Sequence, residues 1–249
     1  MHIDWLEQTG ADVPADNHWL SGKELLRLTA LPIPKRRADW RLGRWTAKRA
    51  VAAVLNLPAD LANIEIHPAP SGAPEVFLNN HPADIAISLS HRDGTALCTV
   101  APLGTTFGCD LELIEPRSDA FVADYFTIDE KALIEQASMA ERPRLVTLLW
   151  SAKESALKAL RVGLRLDTTC MYVTPDGWLE EKGQEWRPLQ VRYSAEHVFG
   201  GWWRVQNNLV RTVVSDPPLP TPGQVRPSSV RETKMAPAVI LSEAKDLCT

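Results

Sequence analysis

The chain has 249 residues, of which 45% are hydrophobic and 23% are charged, a composition typical of globular proteins. Its formal net charge of -4 gives no support to a general role on nucleic acid or on a membrane surface. No apolar run reaches membrane-spanning length, and no signal peptide is visible at the N-terminus. The cysteines form no CxxC pair, and Cys98, Cys109 and Cys170 are interpreted as buried, reduced thiols, so we expect a cytoplasmic protein.

The first elements of the chain are two predicted helices. Residues 21–24 (Ser-Gly-Lys-Glu) have the form of a capping box and predict a short helix that ends near residue 29. A longer helix is predicted over residues 36–57, and its first half is strongly basic. Four of its cations, three or four residues apart, form one stripe: Arg37, Arg41, Arg44 and Lys48. Such a stripe fits phosphate binding and fits a solvated face equally well.

Strands are predicted after this helix, over residues 64–67, 75–78, 85–89 and 95–101. The third of them runs into a tight polar turn that carries His91 and Arg92. A single histidine is more often structural than functional. Here it stands beside a second cation in a turn, which favours a functional role for His91.

The next predicted strand, residues 106–112, carries two carboxylates on one face. Asp110 and Glu112 are two residues apart, so the alternation of a strand directs both to the same side. They repel each other unless a cation lies between them, and carboxylate oxygens are ligands that Mg2+ prefers. The alternative is an edge strand with exposed acids. Gly108 favours the first interpretation, because a glycine within a strand suggests that something approaches closely.

An amphipathic helix is predicted over residues 142–160, after a polar, helical connection over residues 118–138. Within it Trp150, Glu154 and Lys158 are four residues apart and share one stripe. A carboxylate with lysines on both sides can hold a cation and neutralise phosphate in one place. Taken alone, the same residues also fit an ordinary surface ion pair between Glu154 and Lys158.

The remainder of the chain predicts three or four strands and then a change of composition. The strands lie over residues 168–173, 186–193, 201–206 and 209–214, and an Asn207-Asn208 turn joins the last two as a hairpin. A long helix followed by strands thus occurs twice, which indicates two similar halves. We divide the chain into an N-terminal half (1–104), a C-terminal half (105–215) and a Pro-rich disordered tail (216–249).

Four of these motifs, in this order and at this spacing, resemble the 4′-phosphopantetheinyl transferase superfamily. They are the basic helix around Gly43-Arg44, the turn at residues 88–91, the Asp110–Glu112 strand and the segment 150–158. The arrangement in two halves within one chain is similar to the Sfp-like group. The resemblance implies an α+β fold in which each half packs a long helix on antiparallel strands and the halves form a cleft. It also implies a monomer.

The resemblance implies a holo-[acyl-carrier-protein] synthase activity. Such an enzyme transfers 4′-phosphopantetheine from coenzyme A to a serine of an apo acyl or peptidyl carrier protein and releases 3′,5′-ADP. Asp110, Glu112 and Glu154 would hold Mg2+. Glu154 would act as the base, with Lys158 at the leaving phosphate. The coenzyme A contacts that the resemblance implies are Arg36, Arg37, Arg44, His91, Lys153 and Lys158.

One position departs from the family pattern, and two other functions compete with transfer. The family often has a lysine after the glycine of the turn at Gly72, where this chain has Ala73. A non-catalytic module that binds coenzyme A or a carrier protein is one alternative, although it would have no need of the metal-binding acids. A metal-dependent phosphohydrolase is the other, and it would need no carrier protein.

Overall fold

The structure is a computed structural model that describes residues 1–58, 60–179, 185–193 and 197–226. Within them five α-helices combine with strands in three sheets, so the predicted α+β class is confirmed. No helix in this part of the chain is long and apolar enough to cross a membrane.

The first part of the chain contains two helices and six strands. The helices are α1 (Gly22–Thr29) and α2 (Pro34–Val54). The strands are β1 (Asp4–Thr9), β2 (Ile64–Pro68), β3 (Pro74–Leu78), β4 (His81–Pro82), β5 (Ile85–Arg92) and β6 (Thr95–Pro102). The predicted capping box is present: the Ser21 side chain accepts from the Glu24 amide, and the Glu24 carboxylate accepts from the Ser21 amide. Proline at the start of α2 suits the first turn of a helix.

The second part contains three helices and six strands. The helices are α3 (Asp119–Tyr125), α4 (Ile128–Gln136) and α5 (Arg142–Ala159). The strands are β7 (Thr106–Leu113), β8 (Tyr172–Pro175), β9 (Arg187–Arg192), β10 (Val198–Gln206), β11 (Leu209–Asp216) and β12 (Gly223–Gln224). Asn207 and Asn208 both have positive φ, as a tight turn between right-twisted strands requires, so the predicted hairpin is confirmed.

Each long helix packs on its own sheet. The first sheet has the strand order β12-β1-β6-β5 and the second has β7-β11-β10-β9-β8, with a small sheet of β2-β3-β4 beside the first. Helix α2 packs on β1 and β6, and α5 packs on β7 and β11. Two separate apolar cores result, one under each helix. Cys98 and Cys109 are buried as predicted, whereas Cys170 ends a short 3-10 turn and is exposed.

The segment after Asp216 differs from the predicted disordered tail over its first residues. Strand β12 returns to the first sheet and pairs in parallel with β1, where Asp4 lies opposite Gly223 and Trp5 opposite Gln224. A Cβ atom at Gly223 would lie 2.6 Å from Nε2 of His2, so a side chain there would require this exposed imidazole ring to move. The rest of the predicted tail, residues 227–249, lies outside the described residues.

The two halves meet in a third apolar cluster and at one buried ion pair. The cluster combines Trp5 and Leu97 of the first sheet with Phe107, Leu111 and Val213 of the second. At its edge the guanidinium of Arg211 (1% exposed) holds Glu7 of β1 in bidentate fashion, with distances of 2.5 and 2.7 Å. Because Arg211 is on β11, this pair joins the two sheets across 204 residues of sequence.

We predict that Glu7→Gln lowers the free energy of unfolding by about 3 kcal/mol, because it leaves the buried Arg211 guanidinium without a counter-charge. Urea denaturation followed by fluorescence measures the change. The control is Asp119→Asn, which breaks an ion pair whose carboxylate is 93% exposed and should cost less than about 1 kcal/mol. Equal losses for the two variants would contradict the prediction.

Candidate active site

Gly108 allows helix α5 to lie directly against strand β7. A Cβ atom at this position would lie 2.1 Å from the Ser155 carbonyl oxygen and 2.7 Å from the Ala159 amide nitrogen. No side chain fits there without moving the helix backbone. The close approach inferred from Gly108 is therefore that of α5, and it brings the carboxylates of β7 next to Glu154 and Lys158.

Asp110 is buried (4% exposed), and both of its carboxylate oxygens are hydrogen-bonded. Its Oδ1 accepts from Lys158 Nζ and Ser90 Oγ, each at 2.8 Å, and its Oδ2 accepts from Ser151 Oγ at 2.8 Å. Burial acts to raise the pKa of Asp110. The Lys158 charge and the three hydrogen bonds overcome this effect and lower that pKa. Asp110 is therefore an ionised and rigidly held carboxylate.

Glu112 lies two residues further on, among arginines. Its Oε2 is 3.4 Å from Arg117 and 3.6 Å from Arg92, and both arginines also contact Glu115, at 3.2 and 2.6 Å respectively. Burial and the nearby Asp110 charge raise the pKa of Glu112, while the two arginines act to lower it. Its charge is thus partly balanced by cations of the protein itself.

Glu154 differs from the other two carboxylates because no described residue gives its side chain a hydrogen bond or a close ion pair. Burial raises the pKa of Glu154 to about 7, and the charges of Asp110 and Glu112 act in the same direction. Lys158 acts to lower this pKa, but its ammonium group forms an ion pair with Asp110 and not with Glu154. A carboxyl group whose pKa lies near neutrality can accept a proton at physiological pH.

The donor chemistry of these three carboxylates fits a divalent cation. Among the described residues, no three His, Cys, Asp or Glu side chains already converge closely enough to enclose a metal ion. The charges of Asp110 and Glu112 add to burial in raising the pKa of Glu154, so a cation in this corner would favour its ionised form. Mg2+ often takes only one or two protein carboxylates and completes its shell with water and phosphate oxygens, so a loose set of oxygen donors suits it.

A cleft of about 590 Å³ lies between α1, α2 and the small sheet, on the face of β5 that carries Leu89. Arg44 of α2 and Lys23 and Arg27 of α1 contribute its positive charge. The Arg44 guanidinium stacks on Trp40 at 4.8 Å from the ring centroid. Burial lowers the pKa of Arg44, Glu24 raises it, and Arg27 lowers it further. Two like charges near each other in a cleft favour an anionic ligand.

The basic stripe predicted on α2 is divided by the fold. Arg44 lines the cleft, and the exposed Arg36 precedes Trp40 by one helical turn, on the same side. Arg37 does not line this cleft; it lines a different one, beside Asn17 and Arg41. The prediction that Arg37 shares the site with Arg44 is therefore not supported. Lys48 of the same stripe is buried.

A second cleft of about 260 Å³ continues from the first into the contact between the halves. Gly72, Pro74 and Leu89 line both clefts, so the two are adjacent. The second is largely apolar and ends at Lys158 and Arg161. Together the clefts form a path with Lys23, Arg27 and Arg44 at one end and with Lys158, the partner of Asp110, at the other.

Lys153 is not part of this path, in contrast to the prediction that it contacts the cofactor. Its side chain is 0% exposed and its Nζ lies 2.6 Å from Glu130. The same nitrogen donates to the carbonyl oxygens of Tyr125 and Thr168, each at 2.9 Å. Lys153 is the residue before Glu154 on a helix, so the two side chains point in directions about 100° apart, and Lys153 enters the core beneath α4.

His91 and Arg92 lie on opposite faces of β5. His91 is exposed and shares a face with Leu89, which lines the first cleft. Arg92 points the other way, toward Glu112 and Glu115. Arg92 therefore does not replace the lysine that the family often has at the position of Ala73. Ala73 lines the second cleft, and the lysine and arginine that line the same cleft are Lys158 and Arg161.

Several residues of the site were missed in the sequence. Lys23 and Arg27 are four residues apart on α1. The sequence predicts this helix, but no role was predicted for its cations. Ser90 and Ser151 both lie in motifs that were recognised, yet a serine has no distinctive signal of its own. Arg117 could not have been found, because only the fold brings the segment after β7 back onto Glu112.

Residues 106–207 match the model of the 4′-phosphopantetheinyl transferase superfamily, so the resemblance inferred from the motifs is confirmed for this segment, about two fifths of the chain. Among solved structures, holo-[acyl-carrier-protein] synthase of Helicobacter pylori in complex with coenzyme A is similar at 18% identity and a TM-score of 0.32. The match covers 40% of this chain and 98% of that one. No curated protein matches at a significant level.

We predict that the metal-free protein loses stability relative to its Glu154→Gln variant as pH rises from about 5 to about 8. The folded state raises the pKa of Glu154 from 4.5 to about 7, so this group stabilises the fold below pH 4.5, and the contribution is lost as pH rises through about 7. The glutamine side chain of the variant has no titrating proton, so its stability lacks this pH dependence. Urea unfolding in EDTA at several pH values measures the difference, and a difference independent of pH would contradict the prediction.

Proposed function

We propose that this protein is a 4′-phosphopantetheinyl transferase of the Sfp-like group. It transfers the phosphopantetheine group of coenzyme A to a serine of an apo acyl or peptidyl carrier protein. The observation that carries the proposal is the continuous path from Arg44 to Lys158, a lysine that binds Asp110 and lies one helical turn after Glu154. The superfamily match, over residues 106–207, includes Asp110, Glu154 and Lys158.

In this proposal the phosphates at the adenosine end of coenzyme A bind in the first cleft. Arg44, Arg27 and Lys23 supply positive charge there. Arg36 lies one helical turn before Trp40, and His91 shares a face of β5 with Leu89, so both are proposed to add to this charge. The second cleft directs the molecule along Gly72 and Leu89 toward Lys158. Arg44 is held by stacking on Trp40 and by Glu24, so little ordering is needed when the ligand binds.

The reaction is a displacement at phosphorus. The serine hydroxyl oxygen of the carrier protein attacks the phosphorus that bears pantetheine and forms a phosphodiester bond. Glu154 takes the serine proton, directly or through a water molecule; without a bound ion the pKa of its carboxyl group is about 7. The bond from this phosphorus to the bridging oxygen breaks, and 3′,5′-ADP leaves. Lys158, held by Asp110, stabilises the negative charge that develops on the leaving phosphate.

Asp110, Glu112 and Glu154 would hold Mg2+ in this proposal. When bound, the ion supplies positive charge to the pyrophosphate oxygens. Asp110 and Glu112 are held by Ser151 and Arg117 respectively, so the fold fixes the positions of two of the three proposed ligands. We further propose a cytoplasmic monomer in which residues 1–104 supply the coenzyme A cations and residues 105–215 supply the metal-binding and catalytic groups.

Intact-mass spectrometry tests the proposal. An apo carrier protein is incubated with this protein, coenzyme A and Mg2+, and the expected product is heavier by one phosphopantetheine group. EDTA should prevent the gain. Release of free phosphopantetheine in the absence of carrier, with no gain in carrier mass, would instead indicate a phosphohydrolase. Bound coenzyme A with no gain on several fatty-acid and peptide-synthetase carriers would indicate a binding module.

We predict that Glu154→Gln lowers the transfer rate by about 100-fold or more, because it removes the proton acceptor, while coenzyme A still binds. The same mass assay gives the rate, and calorimetry with coenzyme A gives the affinity. Transfer at the wild-type rate in this variant would exclude Glu154 as the base.

We predict that Arg44→Ala weakens coenzyme A binding by about tenfold, the equivalent of one charge-assisted contact. Arg37→Ala is the matched control, since Arg37 is on the same helix but lines a different cleft. Calorimetric titration with coenzyme A compares them. A larger loss of affinity for Arg37→Ala than for Arg44→Ala would reverse the assignment of the cofactor-binding arginine.

A further inference from the structure

The two long helices carry closely similar four-residue motifs. Residues 45–48 of α2 read Trp-Thr-Ala-Lys, and residues 150–153 of α5 read Trp-Ser-Ala-Lys. Both lysine side chains are 0% exposed. The motif places Lys48 in register with Lys153, and this register makes it possible to compare the two halves residue by residue.

The lysine makes equivalent contacts in each half. Lys153 binds Glu130 and two backbone carbonyl oxygens, and Lys48 binds Glu24 and the carbonyl oxygens of Trp19 and Leu61. Both glutamates are the third residue of a short helix that begins with a capping box. Both also accept a hydrogen bond from the amide of a residue in a strand, Ile66 for Glu24 and Val173 for Glu130. Each pair joins a long helix, a short helix and a strand.

The glutamates differ in one respect. Glu24 Oε1 lies 3.7 Å from Arg44 Nε, whereas no second cation contacts Glu130 among the described residues. In the register of the two motifs Arg44 corresponds to Leu149, which is buried in the core of the other half. An arginine therefore occupies a position that the other half fills with leucine. It lies against the first cleft, 14% exposed, and no carboxylate other than Glu24 forms an ion pair with it in the described part.

We infer that Glu24 is a positioning residue for Arg44: one buried carboxylate joins the Lys48 pair and also orients the guanidinium toward the ligand cleft. This inference rests on the proposed binding of coenzyme A. Glu130 makes the equivalent structural contacts but faces no cation of the cleft. Loss of Glu24 should therefore weaken binding through Arg44, and loss of Glu130 should not.

A double-mutant cycle on the full chain tests the inference, with coenzyme A as the calorimetric ligand. The variants are Glu24→Gln, Arg44→Leu, both together, and Glu130→Gln as the matched control. We expect each of the first two changes to raise Kd by about tenfold, the equivalent of one charge-assisted contact. The double variant should bind no more weakly than Arg44→Leu alone, because Glu24 acts through Arg44. Glu130→Gln should leave Kd within about twofold of wild type, a change too small to represent a lost contact.

Three results would overturn the inference: an unchanged Kd in Glu24→Gln, a further tenfold loss when it is added to Arg44→Leu, or an equal loss in Glu130→Gln. Where Glu24→Gln does not fold, Glu24→Asp and Glu130→Asp replace the pair of variants. Aspartate keeps the counter-charge for the lysine but withdraws the carboxylate from Arg44. Failure of the wild-type protein to bind coenzyme A would instead reject the proposed function itself.

Discussion

The carboxylate of Asp110 collects hydrogen bonds from segments that are distant in sequence, and the site depends on this convergence. Ser90 reaches it from β5 in the first half, while Ser151 and Lys158 reach it from α5 in the second. A buried carboxylate is costly unless its charge is balanced and its oxygens are satisfied, so the three donors cannot separate without a penalty. The same contacts that stabilise the ion also fix how the two halves meet.

The three acids of the corner differ because their surroundings differ. Asp110 has a lysine and two hydroxyl groups, and Glu112 has two arginines. Glu154 has neither, and it is the carboxyl group whose pKa rises to about 7. A site that combines charge stabilisation with proton transfer needs fixed anions and a carboxyl group that can accept a proton. Asp110 and Glu112 are the fixed anions here, and Glu154 is the carboxyl group that can accept a proton.

Comparison of the two halves separates structural residues from those proposed to carry chemistry. The buried lysine–glutamate pair occurs in both halves because each long helix must be fixed to its neighbours by the same contacts. Among the positions that differ in chemistry, two line the clefts. Arg44 corresponds to Leu149, and Ala53 corresponds to Lys158. The N-terminal half thus carries the cations of the first cleft, and the C-terminal half carries Lys158, the lysine that binds Asp110.

Local features of this protein could be predicted without the structure, because each depends on neighbours along the chain. Helical spacing predicted α2 and α5, the capping box predicted the start of α1, and the paired asparagines predicted the last hairpin. Strand alternation likewise predicted that Asp110 and Glu112 share one face of β7.

Only the fold shows which charged side chains a ligand can reach, since the burial and ion pairing of a side chain depend on segments that are distant in sequence. Lys48 and Lys153 have the same sequence signals as Lys158, yet acidic side chains from the preceding short helices bind the first two in the core. For the same reason Arg37 is separated from Arg44, and residues 223–224 join β1 as a strand although their composition predicted a tail. A residue type and its spacing indicate what a side chain can do, and the packing around it determines whether a ligand can reach it.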